Sequence, residues 1–145
     1  MKPTQSMKLE IESRSVNESF ARAAVSAFAA QLDPTLEELS DLRTAVSEAV
    51  TNCIVHAYRD SVGKIYITAC VYPDGMFSVK IRDKGCGIAD VPQAMQPLFT
   101  TLGGERAGLG FAVMESFSDK VRVRSVPDKG TAVTLYKRIR GKADA

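Results

Sequence analysis

The fold is decided by one stretch, residues 64–83, which reads KIYITACVYPDGMFSVKIRD. Apolar and polar residues alternate from Lys64 to Tyr72 and again from Phe77 to Ile81, which is typical of strands with one buried face. Between these two runs, Pro73-Asp74-Gly75 has the composition of a tight turn. The sequence therefore predicts a β-hairpin at the centre of the chain.

Upstream of the hairpin, the pattern predicts one strand and two helices. Residues 7–12 alternate like a strand, and Ser15 or Asn17 can cap a first helix that ends before Asp33-Pro34. The second helix is long and runs from about Leu36 to Tyr58. The expected apolar positions of the first helix are Phe20, Ala24, Ala27, Phe28 and Leu32.

Downstream of the hairpin, the segment from about residue 90 to residue 107 is rich in Pro and Gly, and its hydrophobic periodicity is weak. We therefore expect a lid-like loop that carries at most a short helix. A helix from Leu109 to about Phe117, two strands at 121–126 and 131–137, and a polar tail of about 138–145 complete the chain. The order predicts a single α+β domain over residues 1–145. We expect a two-layer α/β sandwich whose mostly antiparallel sheet carries helices on one face.

Composition narrows the functional classes. The chain has 145 residues, 45% hydrophobic content and a net charge of +2, so it can close one core but lacks the strong positive charge of a dedicated nucleic-acid binder. Its three scattered cysteines favour neither disulfides nor structural zinc. No apolar stretch reaches the ~20 residues that span a bilayer, and no signal-peptide pattern is present. We expect a cytoplasmic protein without membrane or direct nucleic-acid partners.

Glu48 and Asn52 are four residues apart on the long helix and therefore share one face. An apolar stripe on the opposite side should dock on the sheet, so this face, with small neighbours such as Ala45 and Ala49, resembles the wall of a pocket. The alternative is a surface glutamate with a helix-stabilising asparagine. The docking stripe consists of Val46, Val50, Cys53, Ile54 and Ala57.

Two glycine-containing segments follow. Asp83 ends a strand and precedes Gly85 and Gly87, so a fixed carboxylate stands beside backbone that can pass close to a planar base; an ordinary Asp-x-Gly turn is the alternative. Gly108-Leu109-Gly110 opens a helix, whose free N–H groups can hold phosphate oxygens, although a lone Gly-x-Gly is weak evidence.

Two further side chains are candidates on their chemistry. Arg106 is placed in the loop just upstream, where it can reach a terminal phosphate or remain a solvated arginine. Thr131 shares its alternation with Val133 and Leu135, so its hydroxyl points to the core side. There it can complete a base pocket or serve a structural hydrogen bond.

The joint pattern of Glu-x-x-x-Asn, Asp-x-Gly-x-Gly, Gly-x-Gly and Gly-Thr resembles the GHKL (Bergerat) nucleotide-binding superfamily, which includes gyrases, histidine kinases and MutL proteins. Within it, residues 47–52 (SEAVTN), 56–58 (HAY) and 96–101 (QPLFTT) are similar to the sporulation anti-sigma F factor family, which are serine kinases. The resemblance covers nearly the whole chain.

The resemblance implies a role for each motif residue. Glu48 would be the general base, Asn52 would hold Mg²⁺, and Asp83 would accept from the adenine amino group, with Gly85, Gly87 and Thr131 near the base. ATP or ADP phosphates would lie on the backbone of Gly108, Leu109 and Gly110. Arg106 would neutralise the terminal phosphate, and Arg22 would contact protein partners.

The family also implies partners: a sigma factor of the sporulation sigma F type, an anti-anti-sigma factor as phosphorylation substrate, and a second copy of the chain. A free edge on the first strand and a helix bearing Phe20, Phe28 and Leu32 are compatible with such a homodimer. The chain departs from the family at Leu102-Gly103-Gly104-Glu105, which is less charged and more flexible than the usual lid.

Two other functions are compatible with the same motifs. A histidine-kinase ATP-binding domain normally works with a long two-helix segment that carries the phosphorylated histidine, and residues 1–35 are too short for one. An ATP-regulated binding module without turnover is the other alternative, and the carboxylate of Glu48 argues against it.

Overall fold

The computed structural model describes residues 1–88, 90–95 and 110–142. Five strands form one sheet in the order β1-β2-β3-β5-β4, and every neighbouring pair is antiparallel. The predicted order of elements is confirmed. The strands are β1 (Gln5–Glu12), β2 (Lys64–Val71), β3 (Met76–Asp83), β4 (Lys120–Val126) and β5 (Gly130–Arg138).

The described helices are α1 (Val16–Ala29), α2 (Leu36–Asn52), α3 (Val91–Ala94) and α4 (Gly110–Ser116). A short 3₁₀ turn, Ala30–Leu32, extends α1, and a π-helical turn, Cys53–Ala57, extends α2. The long helix predicted to reach Tyr58 is therefore present, but its last turn is widened. Such π turns occur frequently at functional sites.

The predicted central hairpin is present. Ile67 pairs with Ile81 and Ala69 with Val79, and the turn closes with the Gly75 N–H donating to the Tyr72 carbonyl at 3.1 Å. Gly75 has a φ of +86°, which side-chain-bearing residues rarely adopt. A glycine at position 75 therefore suits the positive φ that this hairpin turn requires.

One face of the sheet carries the core. Inward residues of β2 and β3 alternate with outward ones, and the inward set packs under α1, α2 and α4. The opposite face presents exposed charges such as Lys8, Lys80 and Arg122 in neighbouring register. This confirms the two-layer α+β sandwich with helices on one face.

The predicted apolar stripe of α1 is wrong in part. The buried residues are Ala21, Val25, Ser26 and Ala29, whereas Phe20 is 52% exposed and Ala27 is also exposed. A stripe of small residues brings α1 close to its neighbours, and aromatic bulk on that face would hold it away. Phe28 does pack inward, with its ring centroid 6.1 Å from that of Phe77.

The start of α2 is joined to the end of the chain through Glu38. Thr35 and Glu38 form a reciprocal capping box, and the Glu38 carboxylate also accepts from the backbone N–H of Arg140 at 2.7 Å and of Gly141 at 3.1 Å. Ile139 is buried. Residues 139–142 of the predicted polar tail thus pack onto the domain.

Candidate active site

Asp83 is the centre of one half of the site. It ends β3 with its side chain buried, and its Oδ1 accepts hydrogen bonds from the backbone N–H of Gly85 at 2.9 Å and of Thr131 at 3.2 Å. Its Oδ2 accepts from the Cys53 thiol at 3.5 Å. Burial raises the pKa of Asp83 above its ordinary value, although these three hydrogen bonds act in the opposite direction.

The structure brings Thr131 and Asp83 together from positions 48 residues apart. The Thr131 hydroxyl lies 2.7 Å from the Ser125 hydroxyl, which in turn accepts from the Ile88 backbone N–H at 2.7 Å. Sequence reasoning missed Ser125. Ser125 could have been found from the strand register, because it is the polar residue directly opposite Thr131 in the β4–β5 pair.

The loop after Asp83 is held against the π turn that follows α2. The Ala57 carbonyl accepts from the Cys86 N–H at 3.2 Å, and the Tyr58 hydroxyl accepts from the Lys84 N–H at 2.6 Å while donating to the Lys64 carbonyl. These contacts were not predicted from the sequence. They fix the loop relative to the helix that carries Glu48 and Asn52.

Gly85 and Gly87 were predicted to let backbone approach a ligand base. A side chain at Gly85 would meet the Ala57 carbonyl, and one at Gly87, whose φ is +74°, would meet the backbone of Val126. Both glycines are thus required by close contacts within the protein. This requirement is separate from any ligand, and it keeps the loop tight around Asp83.

The second half of the site lies on α2. Glu48 and Asn52 are half-buried on one face of the helix, beside the buried Ala45 and Ala49. Helix α4 packs against this face, and a Cβ added at Gly110 would lie 3.1 Å from the Asn52 Oδ1. The first residue of α4 therefore stands directly at the Asn52 amide.

Arg106, Gly108 and Leu109 lie outside the described residues, as does most of the predicted lid. Of the predicted phosphate segment, Gly110 alone is described, and it is buried at the start of α4. The predicted roles of these residues toward phosphate therefore remain predictions.

A groove of about 540 Å³ runs along α2 beside Glu48. Arg22 borders it from α1, where its guanidinium donates to Ser47 at 3.3 Å and to Glu18 at 3.4 Å, and the Ser47 hydroxyl donates to the same Glu18 carboxylate. Arg22 and the predicted general base Glu48 therefore border the same groove. It is lined by Arg22, Leu36, Leu39, Ser40, Arg43, Thr44, Ser47 and Glu48.

No helix in the described part of the chain is long and apolar enough to cross a bilayer. Among the same residues, no group of three or more His, Cys, Asp or Glu side chains is arranged to hold a metal ion.

Comparison with known proteins places this geometry in a family. Residues 11–137 match the model of the histidine kinase-like ATPase domain. An anti-sigma F factor of Caldanaerobacter subterraneus subsp. tengcongensis is 57% identical over 134 residues, covering 92% of this chain and 93% of the relative. Anti-sigma F factors of Clostridium botulinum and Geobacillus thermodenitrificans are 52% and 51% identical, each with more than 90% of both chains covered.

Solved structures agree on the fold. The RsbU and RsbW domains of a Mycobacterium tuberculosis protein align with a TM-score of 0.70 at 22% identity, over 94% of this chain and 32% of that longer chain. The mycobacterial sensor histidine kinase MprB aligns with a TM-score of 0.58 at 16% identity, over 93% of this chain and 99% of that one. Because the domain match and the relatives span nearly its whole length, the chain belongs to the GHKL-type, histidine kinase-like ATPases and, within them, to the anti-sigma F factor family.

Proposed function

We propose that this anti-sigma factor is a serine kinase that uses Mg-ATP to phosphorylate an anti-anti-sigma factor, and that it inhibits a sporulation sigma factor of the sigma F type by binding it. The observation that carries the proposal is that one helix, α2, links both halves of the site. Its Glu48 borders an open groove, and the turn that continues it contacts the buried Asp83.

The Asp83 half supports adenine recognition. A carboxylate oxygen accepts hydrogen bonds only, so at the edge of a purine it favours an amino group over a carbonyl. Its Oδ1 is held by two backbone donors, one of them the N–H of Thr131, whose hydroxyl lies 2.7 Å from that of Ser125. This arrangement suits the 6-amino group of adenine.

The Asn52 half supports Mg²⁺. Mg²⁺ usually keeps several waters and binds few protein ligands together with substrate phosphates, so a single amide oxygen can form part of its shell. Asn52 offers an amide oxygen next to the start of α4, where a Cβ at position 110 would approach it to 3.1 Å. When bound, Mg-ATP would supply the phosphoryl group and neutralise its charge.

Glu48 would accept the proton of the incoming serine hydroxyl. As the serine oxygen forms its bond to the terminal phosphorus, the bond to the ADP oxygen breaks and the proton passes to the Glu48 carboxylate. The groove beside Glu48 is open along α2, so a protein segment has room to reach it. Arg22, at the α1 side of this groove, is proposed to contact the protein partners.

We propose that the chain acts as a homodimer through α1. Of the three side chains that the sequence predicts for this contact, Phe28 and Leu32 pack against the core of their own domain. Phe20 is exposed, as are Val16, Ala23 and Ala27 at helical spacing on the same side. This α1 stripe (Val16, Phe20, Ala23 and Ala27) is the surface that a second copy would cover.

Among the alternatives, the histidine-kinase domain is less well supported. The structural likeness to histidine kinases is below 20% identity, whereas the curated relatives at more than 50% identity carry the anti-sigma F name. Residues 5–29 form β1 and α1 of the sandwich itself. No histidine stands in this segment.

The test is a phosphoryl-transfer assay with the purified full chain, ATP, Mg²⁺ and a cognate anti-anti-sigma protein. Phosphoserine is expected, and Glu48→Gln should abolish it while leaving ATP affinity within about twofold. Glu37→Gln, the same change at an exposed position of α2, is the matched control and should transfer normally. If the wild type binds ATP but transfers no phosphate, the chain is a binding module.

A further inference from the structure

The Asp83 carboxylate has two unequal oxygens. Its Oδ1 accepts from the backbone N–H of Gly85 and of Thr131, and both donors are fixed by the main chain. Its Oδ2 accepts from the thiol of Cys53. Because an ionised carboxylate oxygen can accept two hydrogen bonds, Oδ2 keeps capacity for a ligand beside the single thiol contact seen within the described residues.

We propose that Cys53 is a positioning residue for adenine recognition, whose thiol holds the Asp83 Oδ2 in the orientation that accepts the 6-amino group. This inference rests on the proposed function, because it assumes that Asp83 contacts the base. It adds a residue that belongs to neither the Glu-x-x-x-Asn nor the Asp-x-Gly-x-Gly motif.

The thiol is well placed for this task. Cys53 is 4% exposed, and its own backbone N–H donates to the Ala49 and Val50 carbonyls, so the side chain starts from a rigid helical position. A neutral thiol carries one S–H donor, and its acceptor here is the Oδ2 of Asp83 at 3.5 Å.

The contact also couples the two halves of the site. Cys53 follows Asn52 directly and begins the π turn, so the same helix that carries Glu48 and Asn52 orients Asp83 on β3. A thiol is a weak donor, which allows it to fix the direction of the carboxylate while leaving most of the negative charge for the ligand. A residue without a donor would leave Oδ2 with no donor among the described residues.

The test compares the affinities of the full chain for ATP and for ITP by titration calorimetry, because ITP replaces the 6-amino group with a carbonyl. Cys53→Ala is expected to lower ATP affinity about 3- to 10-fold and to change ITP affinity less than about twofold, so the ATP/ITP preference falls. Cys53→Val fills the space without a donor and should behave alike. Cys53→Ser keeps a donor and should retain more of the preference than Cys53→Ala.

Cys70→Ala is the matched control, since Cys70 lies on β2 and points away from the face that carries Asp83. It should leave the ATP/ITP preference unchanged. If neither Cys53→Ala nor Cys53→Val alters the preference while Asp83→Asn does, the inference about Cys53 is overturned and the adenine role of Asp83 stands. If Asp83→Asn also leaves the preference unchanged, both the inference and the proposed adenine site are wrong.

Discussion

At the scale of single residues, Asp83 is a carboxylate that the fold buries although burial removes its favourable hydration. A buried carboxylate loses its hydration, and three hydrogen bonds from Gly85, Thr131 and Cys53 replace part of it. This imbalance is typical of a functional residue.

Replacement of Asp83 by Asn should weaken ATP binding by ~1–3 kcal/mol, because a neutral group takes the place of a charged acceptor. The change keeps the shape of the side chain, so the fold should persist. Titration calorimetry of the wild type and the variant measures the difference. An unchanged ATP affinity would remove Asp83 from the adenine site.

The same residue predicts how stability responds to pH. Because the folded state raises the pKa of Asp83 above 3.8, it binds the proton more tightly than the unfolded chain does. This contribution to stability is fully present below pH 3.8 and is lost as pH rises through the raised pKa. Relative to Asp83→Asn, the wild type should therefore gain free energy of unfolding as pH falls from 7 toward 4.

Urea unfolding of both proteins at pH 7, 5.5 and 4.5 measures this difference. Other titrating groups affect the two proteins equally, so the comparison isolates residue 83. A wild-type-minus-variant difference that stays constant over this range would show that the Asp83 carboxyl is solvated normally.

At the scale of elements, the Glu38 carboxylate both caps helix α2 and binds the backbone that follows strand β5. Burial works to raise its pKa, but hydrogen bonds from the backbone of Thr35, Arg140 and Gly141 outweigh burial, so the pKa is lowered from 4.5. One carboxylate thus caps α2 and holds the strand-β5 extension on the domain. Stability from this group is present above pH 4.5 and is lost as pH falls through the lowered pKa.

Glu38→Ala should lower the free energy of unfolding by about 1–2 kcal/mol at pH 7, the usual range for a lost cap, and the loss should shrink toward pH 3. Glu37→Ala, at an exposed neighbour in the same helical turn, is the control and should cost less than about 0.5 kcal/mol. Denaturant unfolding at several pH values decides the matter. A loss that is equal at pH 7 and pH 3 would contradict the ionic part of this account.

The contact between α2 and α4 gives a second prediction at this scale. A methyl group at Gly110 would lie 3.1 Å from the Asn52 Oδ1, so the amide must move by a few tenths of an ångström. Gly110→Ala should therefore raise the Mg²⁺ concentration needed for half-maximal phosphoryl transfer by about 3- to 10-fold, less than the ~100-fold cost of a 1 Å misplacement. Glu115→Ala, exposed on the same helix, should not change it.

At the scale of the whole molecule, charged and apolar side chains are grouped on separate surfaces, which the overall composition does not reveal. The net charge is only +2, yet the strand register aligns Lys8, Lys80 and Arg122 on the sheet face opposite the described helices. The α1 stripe, in contrast, exposes Val16 at 74% and Phe20 at 52%. Exposed apolar side chains in one row favour protein association at that surface.

Phe20→Ser should therefore shift the chain from dimer toward monomer in sedimentation velocity at micromolar concentration, because it removes the largest apolar side chain of the stripe. Val62→Ser is the control, since Val62 is 50% exposed but lies in the segment before β2. A wild type that is monomeric throughout, or a Phe20→Ser protein that remains dimeric, would reject the α1 stripe as the interface.

The sequence by itself determined the elements of the fold and their order. Period-2 alternation in residues 64–83 and turn chemistry at Pro73-Asp74-Gly75 act over a few neighbours, so the hairpin was readable without any distant contact. The spacing of Glu48 and Asn52 placed them on one helical face for the same reason. Strand alternation made Thr131 a candidate for a base pocket, and the family resemblance put it near the same base as Asp83.

Only the tertiary structure decided which surfaces meet. Helix α1 has alanines around most of its circumference, so periodicity alone could not show that Ala21, Val25 and Ala29 face inward while Phe20 faces out. Ser125 and Cys53 join the site through register and packing between segments far apart in sequence. Local patterns set how each element folds, but these contacts depend on how the layers close over the core, which no short window of sequence contains.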